Sequence, residues 1–271
     1  MTTAAEINGV TISYSDLGSG LPLVCLHGGM GICGRTLRTP GILNLANHGI
    51  RLIIPDQRGH GQSSRVSTAE YSHTTWANDV YSLVGHLGLS RVALLGHSYG
   101  GFIALECVVH WPSLFTHLVL VASSAGPVSV QYNAVLTDGL LKQMFRTTWP
   151  YFFAGVDKHW NLLEEATYSA EAYNAAFSRE LKTYDLREYI ETLSIPMLLV
   201  VGSNDPYRAD MEWLAEKAPN ARFCLLDRVG HFPFVEAEQD FLTEVSSFLT
   251  GHLEVAAATS SCTRSPGLAI R

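Results

Sequence analysis

Residues 91–109 contain a short apolar segment, a glycine-flanked serine and a second apolar segment in direct succession. Residues 91–95 have the length and composition of a buried strand, and residues 101–109 have those of a helix. Between them lies GHSYG, a G-x-S-x-G pattern centred on Ser98. Glycines two positions before and after the serine permit a turn so tight that larger side chains would collide. The arrangement predicts a strand–turn–helix unit that presents the Ser98 hydroxyl at a sheet edge.

The rest of the chain also alternates between strand-like and helical segments. Residues 7–15, with Asn8-Gly9 as a turn, predict a β-hairpin. The alternation predicts an α/β fold with a doubly wound, mostly parallel sheet. We expect further strands at 21–26, 51–55, 117–122, 195–202 and 221–226, and helices at 74–87, 211–218 and 238–249.

One long segment interrupts this alternation. Residues 123–193 are rich in aromatic side chains and contain helical patterns but no strand pattern. We therefore expect a helical cap at 123–193, inserted into an α/β core formed by residues 1–122 and 194–250. Residues 256–271 lack periodicity, and we expect a disordered tail at 251–271.

The composition excludes several classes of protein. Hydrophobic residues make up 47% of the 271 residues and charged residues 16%, which predicts a sizeable core. The net charge is −7 and Lys and Arg are scattered, so nucleic acid is not an expected partner. No apolar run approaches the roughly 18 residues of a membrane span, and the N-terminus lacks the pattern of a signal peptide. We expect a cytoplasmic protein without a membrane segment.

The cysteines give no sign of a metal site. They are odd in number and widely spaced, with neither a C-x-x-C pair nor the spacing of a zinc site. We expect free thiols of a reducing compartment, and no metal, from Cys25, Cys33, Cys107, Cys224 and Cys262.

The G-x-S-x-G pattern alone is weak evidence, because about one chain in ten of this length contains it by chance. A serine hydroxyl also needs a base, and the base needs an orienting carboxylate. Asp205 and His231 each follow a predicted strand, in the chain order serine, acid, histidine. Side chains at the carboxyl ends of parallel strands gather at one sheet edge. Ser98, Asp205 and His231 are therefore a candidate catalytic triad.

Other aspartates and histidines compete for these roles. Asp210 lies in the predicted helix after Asp205, and Asp227 lies early in the loop that carries His231. His97 and His110 flank the helix that follows Ser98, and we interpret both as packing groups.

Acyl-transfer chemistry also needs donors for the oxyanion. One is the backbone N–H of Tyr99, the residue after the serine. The second is expected in the glycine-rich loop HGGMG at 27–31, where Gly29 is the first choice and Met30 the second. The segment DQRGHGQS at 56–63 is interpreted as a structural turn held by Asp56 and Arg58.

These motifs together resemble the α/β-hydrolase family over residues 7–250. The matching segments are HGG at 27–29, DQRGHGQS at 56–63, GHSYGG at 96–101, GSND at 202–205 and GHFPFVE at 230–236. The resemblance implies Ser98 as nucleophile, His231 as base, Asp205 as acid and Gly29 with Tyr99 as oxyanion donors, without a cofactor. The HGG and DQRG segments are similar to proline iminopeptidases, whereas GHSYGG is closer to carboxylesterases and lactonases.

The leading hypothesis is a serine hydrolase of small carboxylic esters or lactones, acyl-homoserine lactones among them, acting as a monomer or homodimer. A proline iminopeptidase-type aminopeptidase is the alternative, and it would need cap carboxylates to hold the substrate ammonium. A non-catalytic receptor on a hydrolase fold is the third hypothesis. For the aminopeptidase, the candidate cap carboxylates are Glu164, Glu165, Glu171 and Glu180, which could equally be solvated side chains on exposed helix faces. The expected substrate-binding residues are Met30, Ile32, Trp149, Tyr151, Phe152 and Phe232.

Overall fold

The computed structural model describes residues 2–128, 132, 134–251 and, for the backbone alone, 262–264. Its strands form one sheet in the order β1-β2-β4-β3-β5-β6-β7-β8-β9. They are β1 Thr2–Ile7, β2 Val10–Leu17, β3 Leu21–Leu26, β4 Ile50–Pro55, β5 Val92–His97, β6 Phe115–Val121, β7 Met197–Gly202, β8 Ala221–Leu226 and β9 Cys262–Arg264.

The six strands from β4 to β8 in this order are parallel, and the sheet is antiparallel at both ends. The hairpin β1–β2 pairs with β4 on one side, and β9 pairs with β8 on the other. The hairpin turns at Asn8-Gly9, where both residues have positive φ (50° and 78°), as a two-residue hairpin loop requires. The predicted α/β class with a mostly parallel sheet is confirmed.

The central strands are mainly apolar because both faces of the sheet are covered. Alternate residues of β5, β6 and β7 therefore enter two separate core clusters. Leu94, for example, belongs to one cluster and Leu95 to the other. This explains why these strands appear in the sequence as continuous apolar runs.

Helices cover the two faces of the sheet, and further helices form the chain segment that connects β6 to β7. The α-helices are α1 Pro40–Leu43, α2 His73–His86, α3 Tyr99–His110, α4 Asp138–Thr148, α5 Trp160–Glu164, α6 Ala170–Ala175, α7 Leu181–Thr183, α8 Arg187–Ile190, α9 Arg208–Lys217, α10 Pro233–Glu236 and α11 Glu238–Thr250. Short 3-10 helices lie at Gly34–Leu37, Asn44–His48, Thr68–Glu70, Pro112–Leu114 and Trp149–Phe152, and a π-helix at Ala176–Glu180.

The hairpin begins earlier than predicted, at Thr2 instead of residue 7, whereas the other predicted core strands and helices agree with these bounds to within three residues at each end. Between β6 and β7, the described residues of 123–193 form α4–α8, and their one β-contact is an isolated bridge between Tyr168 and Ile32. The inserted helical segment of the predicted fold class is thus present. Residues 129–131 and 133 of the predicted cap lie outside the described residues.

Two expectations for the C-terminal region need correction. Residues 262–264 of the predicted disordered tail form β9, antiparallel to β8; residues 252–261 and 265–271 lie outside the described part. Cys224, expected as a free thiol, is disulfide-bonded, whereas Cys25, Cys33 and Cys107 are free. The Cys262 side chain lies outside the description.

Candidate active site

Ser98 lies at the junction between β5 and α3, on a turn with unusual backbone geometry. Its φ of 52° and ψ of −120° are rare for a residue with a side chain. The turn is held by hydrogen bonds from Ser98 N to Val121 O and from Ser123 Oγ to Ser98 O, both 2.8 Å long. The strained turn predicted from the G-x-S-x-G pattern is therefore present.

The two glycines of the pattern are required by close backbone approach. A Cβ at Gly96 would lie 2.5 Å from Gly100 O, and a Cβ at Gly100 would lie 2.2 Å from Leu26 O. Larger residues would push α3 away from β5 and β3. The glycines thus allow the helix to begin directly beside the strand ends.

Asp205 and His231 form a buried pair at the same sheet edge. His231 Nδ1 lies 2.6 Å from Asp205 Oδ2, and both side chains are almost fully buried. The second carboxylate oxygen, Oδ1, accepts the backbone N–H of Tyr207 at 2.6 Å. Because a carboxylate only accepts, Nδ1 of His231 carries the proton and Nε2 is left as the basic nitrogen.

His97 supports the backbone of His231. Its Nε2 donates to His231 O at 2.8 Å, and its buried Nδ1 has no hydrogen-bond partner among the residues that the structure describes. Burial and the neighbouring His231 hold the pKa of His97 well below its usual range, so His97 stays neutral. His97 therefore does more than pack in the core, as the sequence predicts, because its side chain also holds the loop that carries His231. His110 is half-exposed.

The competing aspartates have other partners. Asp210 Oδ1 accepts from Ser124 Oγ at 2.8 Å. Asp227 is largely exposed and lies 3.4 Å from Arg228. Neither aspartate has the buried contact with His231 that Asp205 has.

The glycine-rich loop lies directly against the serine. A Cβ at Gly28 would lie only 2.6 Å from Ser98 Cβ, so this close approach of the loop to Ser98 requires a glycine. Gly29 O accepts from Ile32 N at 2.7 Å and closes a turn. Tyr99 is the first residue of α3, and N–H groups in a first helical turn have no helical partner. The geometry is compatible with Gly29 and Tyr99 as oxyanion donors.

The DQRG turn has the structural contacts predicted for it. Asp56 accepts from Gly34 N at 3.1 Å, from Gln62 N at 3.2 Å and from Arg38 at 3.0 Å. The Arg58 guanidinium forms two hydrogen bonds, 2.7 and 2.8 Å long, with Asp79 of α2.

A cavity of about 290 Å³ opens beside Ser98 and His231. Four of the expected substrate-binding residues line it, namely Ile32, Trp149, Phe152 and Phe232. The remaining described lining residues are Gly28, Gly29, Thr36, His97, Met144, Phe145, Thr148, Tyr173, Phe177 and Tyr207. The cavity is therefore mainly aromatic and aliphatic.

Two expected substrate-binding residues, Met30 and Tyr151, do not line this cavity. Met30 is completely buried in the core, because the turn after Gly29 directs it inward and Ile32 toward the cavity. Tyr151 is 83% exposed. It lies in the 3-10 helix Trp149–Phe152, where residues three apart share a face, so Trp149 and Phe152 point to the cavity and Tyr151 points outward.

The largest group of cavity-lining residues that was not predicted from the sequence lies on α4. Met144, Phe145 and Thr148 are spaced for one face of a helix, and this periodicity could have identified them. Tyr173 and Phe177, four residues apart, show the same spacing. Thr36 and Tyr207 carry no comparable signal, since only tertiary packing brings them to the cavity.

The described lining of the cavity has no permanently charged side chain. Among the described lining residues there is no Asp, Glu, Lys or Arg. The cap glutamates that an aminopeptidase would use have other contacts: Glu165 pairs with Arg35, Glu171 lies 3.5 Å from Arg65, and Glu180 pairs with Arg179. Glu164 is exposed.

The described residues contain neither a metal-binding cluster nor a membrane-spanning helix. They include no group of three or more His, Cys, Asp or Glu side chains arranged to hold a metal ion. None of their helices has the length and apolarity needed to cross a bilayer.

Comparisons with known proteins agree with this architecture. The sequence profile described as "Alpha/beta hydrolase family" matches residues 23–244. The chain belongs to the α/β-hydrolase family. Similar to this hydrolase is the pimeloyl-(acyl-carrier protein) methyl ester esterase of Aeromonas hydrophila, 27% identical over 263 residues, which cover 89% of this chain and all of that protein.

Two further similarities concern an enol-lactonase and an esterase. The 3-oxoadipate enol-lactonase 2 of Acinetobacter baylyi is 29% identical to this hydrolase over 206 residues, covering 70% of this chain and 75% of that protein. The solved structure of an esterase from Exiguobacterium antarcticum matches with a TM-score of 0.79 and 26% identity, covering 92% of this chain and 100% of that chain.

Proposed function

We propose that this hydrolase cleaves carboxylic esters or lactones through an acyl-enzyme on Ser98. The observation that carries the proposal is the buried 2.6 Å contact between His231 Nδ1 and Asp205 Oδ2, in a cavity that also contains Ser98 on its strained turn. This is the arrangement that nucleophilic acyl transfer by a serine requires. The similarity to an esterase and an enol-lactonase supports the same chemistry.

In the first step Ser98 Oγ attacks the substrate carbonyl while His231 Nε2 accepts the hydroxyl proton. Asp205 holds the imidazole in the required tautomer and stabilises the imidazolium that forms. The backbone N–H groups of Gly29 and Tyr99 stabilise the oxyanion. His231 then protonates the leaving alcohol, and the acyl group remains on Ser98. Water attacks the acyl-enzyme with the same assistance and releases the acid.

The acyl group would occupy the cavity beneath residues 123–193, which we propose act as the cap. A cavity whose described lining residues include no Asp, Glu, Lys or Arg favours neutral, apolar acyl groups. A small neutral ring with an apolar tail, as in an acyl-homoserine lactone, has this chemistry. No contact favours the aminopeptidase alternative, because none of the four candidate glutamates lines the cavity.

Covalent labelling tests the nucleophile directly. A fluorophosphonate probe is expected to add once to the wild-type protein, on Ser98, as seen by intact mass and peptide mapping. Ser98→Ala is expected to lose the adduct and to lower p-nitrophenyl butyrate turnover by at least about 1,000-fold, because the nucleophile is absent. Ser90→Ala, an exposed serine, is the matched control and should behave as wild type.

Three outcomes would contradict the proposal. Full ester and lactone turnover by Ser98→Ala would exclude the acyl-enzyme. No adduct on wild-type Ser98 would favour a non-catalytic receptor. Faster turnover of proline p-nitroanilide than of the butyrate ester would favour the aminopeptidase.

A further inference from the structure

Two loops meet beside His231, and one carboxylate connects them. The base loop, residues 229–232, carries His231. The cap loop, residues 152–155, belongs to the inserted helical segment and carries Phe152, which lines the cavity. Glu236, the last residue of α10 and of the segment GHFPFVE, lies at their junction.

The two carboxylate oxygens of Glu236 each accept a backbone N–H from a different loop. Oε2 accepts from Gly230 N of the base loop at 2.7 Å, and Oε1 accepts from Gly155 N of the cap loop at 2.9 Å. Hydrogen bonds to an ionised acceptor are about twice as strong as those between neutral groups. Glu236 can therefore hold both loops at a fixed separation.

Two contacts between the loops depend on this separation. The backbone N–H of His231 donates to Phe152 O at 2.7 Å. The rings of Phe153 and Phe232 stack with centroids 5.1 Å apart and an interplanar angle of 13°. The cap loop is thus joined to the backbone of the candidate base itself.

The same junction fixes one wall of the cavity. The Phe152 ring lies 5.2 Å from the His231 ring, measured between centroids. A shift of the cap loop would therefore move the apolar wall and the imidazole together.

We propose that Glu236 is a positioning residue that couples the cap to the base, an inference that rests on the proposed function. Through Gly230 it holds the His231 imidazole at the correct distance from Ser98, and through Gly155 it holds Phe152 against the acyl group. It touches neither substrate nor reacting atoms. Loss of the carboxylate is therefore expected to slow acylation and also to loosen the fit of longer acyl chains.

Substitutions of Glu236 test both effects. Glu236→Gln keeps the size but replaces one acceptor by an NH₂ group, and Glu236→Ala removes both acceptors. Glu238→Gln is the matched control, because Glu238 lies two residues further on and accepts from Asn44 Nδ2 at 3.3 Å, away from both loops. For each protein, kcat and KM are measured with p-nitrophenyl acetate and octanoate, and kcat is divided by the number of sites that a fluorophosphonate probe titrates.

Dividing kcat by the number of titrated sites separates an effect on the position of His231 from a loss of folded protein. We expect kcat per site to fall about 10-fold in Glu236→Gln and towards 100-fold in Glu236→Ala, since a displacement of about 1 Å can cost that much. The KM for the octanoate ester should rise more than the KM for the acetate ester, because a longer acyl chain would bury more apolar surface against the wall that contains Phe152. Glu238→Gln should match wild type.

A lower number of titrated sites with unchanged kcat per site would show a purely structural role and would overturn the coupling. Equal changes in KM for both esters would overturn the part that involves Phe152. An absence of probe labelling in the wild-type protein would overturn the proposed function and the coupling together.

Discussion

His60 shows how a single buried residue can hold the glycine-rich loop. Its Nε2 accepts the backbone N–H of Gly31 at 2.8 Å, and its Nδ1 donates to Arg58 O at 3.0 Å. Protonation would place a second hydrogen opposite the Gly31 N–H. Burial lowers the pKa of His60 to about 4, so the loop is held by a neutral imidazole.

This environment predicts a stability that depends on pH. The unfolded chain has a histidine pKa of about 6.5, so between pH 6.5 and pH 4 it binds more protons than the folded protein does. The contribution of His60 to the free energy of unfolding is therefore fully present above pH 6.5 and is lost as the pH falls toward 4. At pH 5 the loss amounts to about 2 kcal/mol. Urea unfolding at pH 7 and pH 5 measures it.

In His60→Gln the amide oxygen can still accept from Gly31 N. The decrease in the free energy of unfolding between pH 7 and pH 5 should be about 2 kcal/mol smaller in this variant than in the wild-type protein. His86→Gln, at an exposed histidine at the end of α2, is the control. An unchanged pH dependence in His60→Gln would show that His60 does not titrate in this way.

At the scale of elements, the ion pair between Arg58 and Asp79 joins three parts of the fold. Asp79 lies on α2, Arg58 lies after β4, and Asn8 in the β1–β2 turn donates to Asp79 Oδ1 at 2.9 Å. Both charged side chains are almost fully buried, at 6% and 7% exposure. Removal of one partner would leave an uncompensated buried charge.

We therefore expect Asp79→Ala to lower the free energy of unfolding by about 3–5 kcal/mol in urea titrations. The double variant Arg58→Met with Asp79→Leu should recover a large part of this loss, because it removes both charges. Asp185→Ala breaks an exposed pair with Arg187 and should cost less than about 1 kcal/mol. A similar cost for Asp79→Ala and Asp185→Ala would mean that burial does not govern the contribution of the first pair.

At the scale of the whole molecule, the sheet edge and the inserted segment together form the cavity. Its volume of about 290 Å³ is small. Since a cavity of about 150 Å³ holds benzene, this one has room for about a dozen carbon atoms. Its described lining residues include no Lys or Arg to pair with an acyl carboxylate, and the chain carries a net charge of −7.

Esters with an anionic acyl chain should therefore be poor substrates. We expect kcat/KM for p-nitrophenyl hemiglutarate to be at least about 100-fold below that for p-nitrophenyl valerate, because the apolar cavity would have to desolvate a charge. The two acyl chains are nearly equal in length, so the comparison isolates the charge. Comparable values would place the acyl group outside the cavity.

Much of the fold could be predicted from local pattern. Strand β8 has its predicted bounds, and α11 differs by one residue at its end. The order of Ser98, Asp205 and His231 along the chain, each after its own strand, was sufficient to predict that they gather at one sheet edge. This succeeds because apolar runs and turn residues act over a few neighbouring positions, and parallel strands bring their carboxyl ends together.

The cavity wall depended on packing that local pattern does not contain. The sequence predicts Met30 and Tyr151 as substrate-binding residues, yet Met30 lies in the core and Tyr151 is exposed to solvent. The turn after Gly29 and the 3-10 helix Trp149–Phe152 determine which neighbouring side chains face the cavity instead. The strand β9 and the disulfide at Cys224 likewise depend on contacts distant in sequence.

By itself, the sequence determined the parallel strands of the sheet, the helices that alternate with them and the three residues of the candidate triad, since each follows from short-range chemistry. Only the tertiary structure decided which side chains line the cavity and how Glu236 connects the loop at Gly155 to the loop that carries His231. Those features depend on how short helices and loops pack across the sheet edge, where a rotation of one residue exchanges an inward side chain for an outward one.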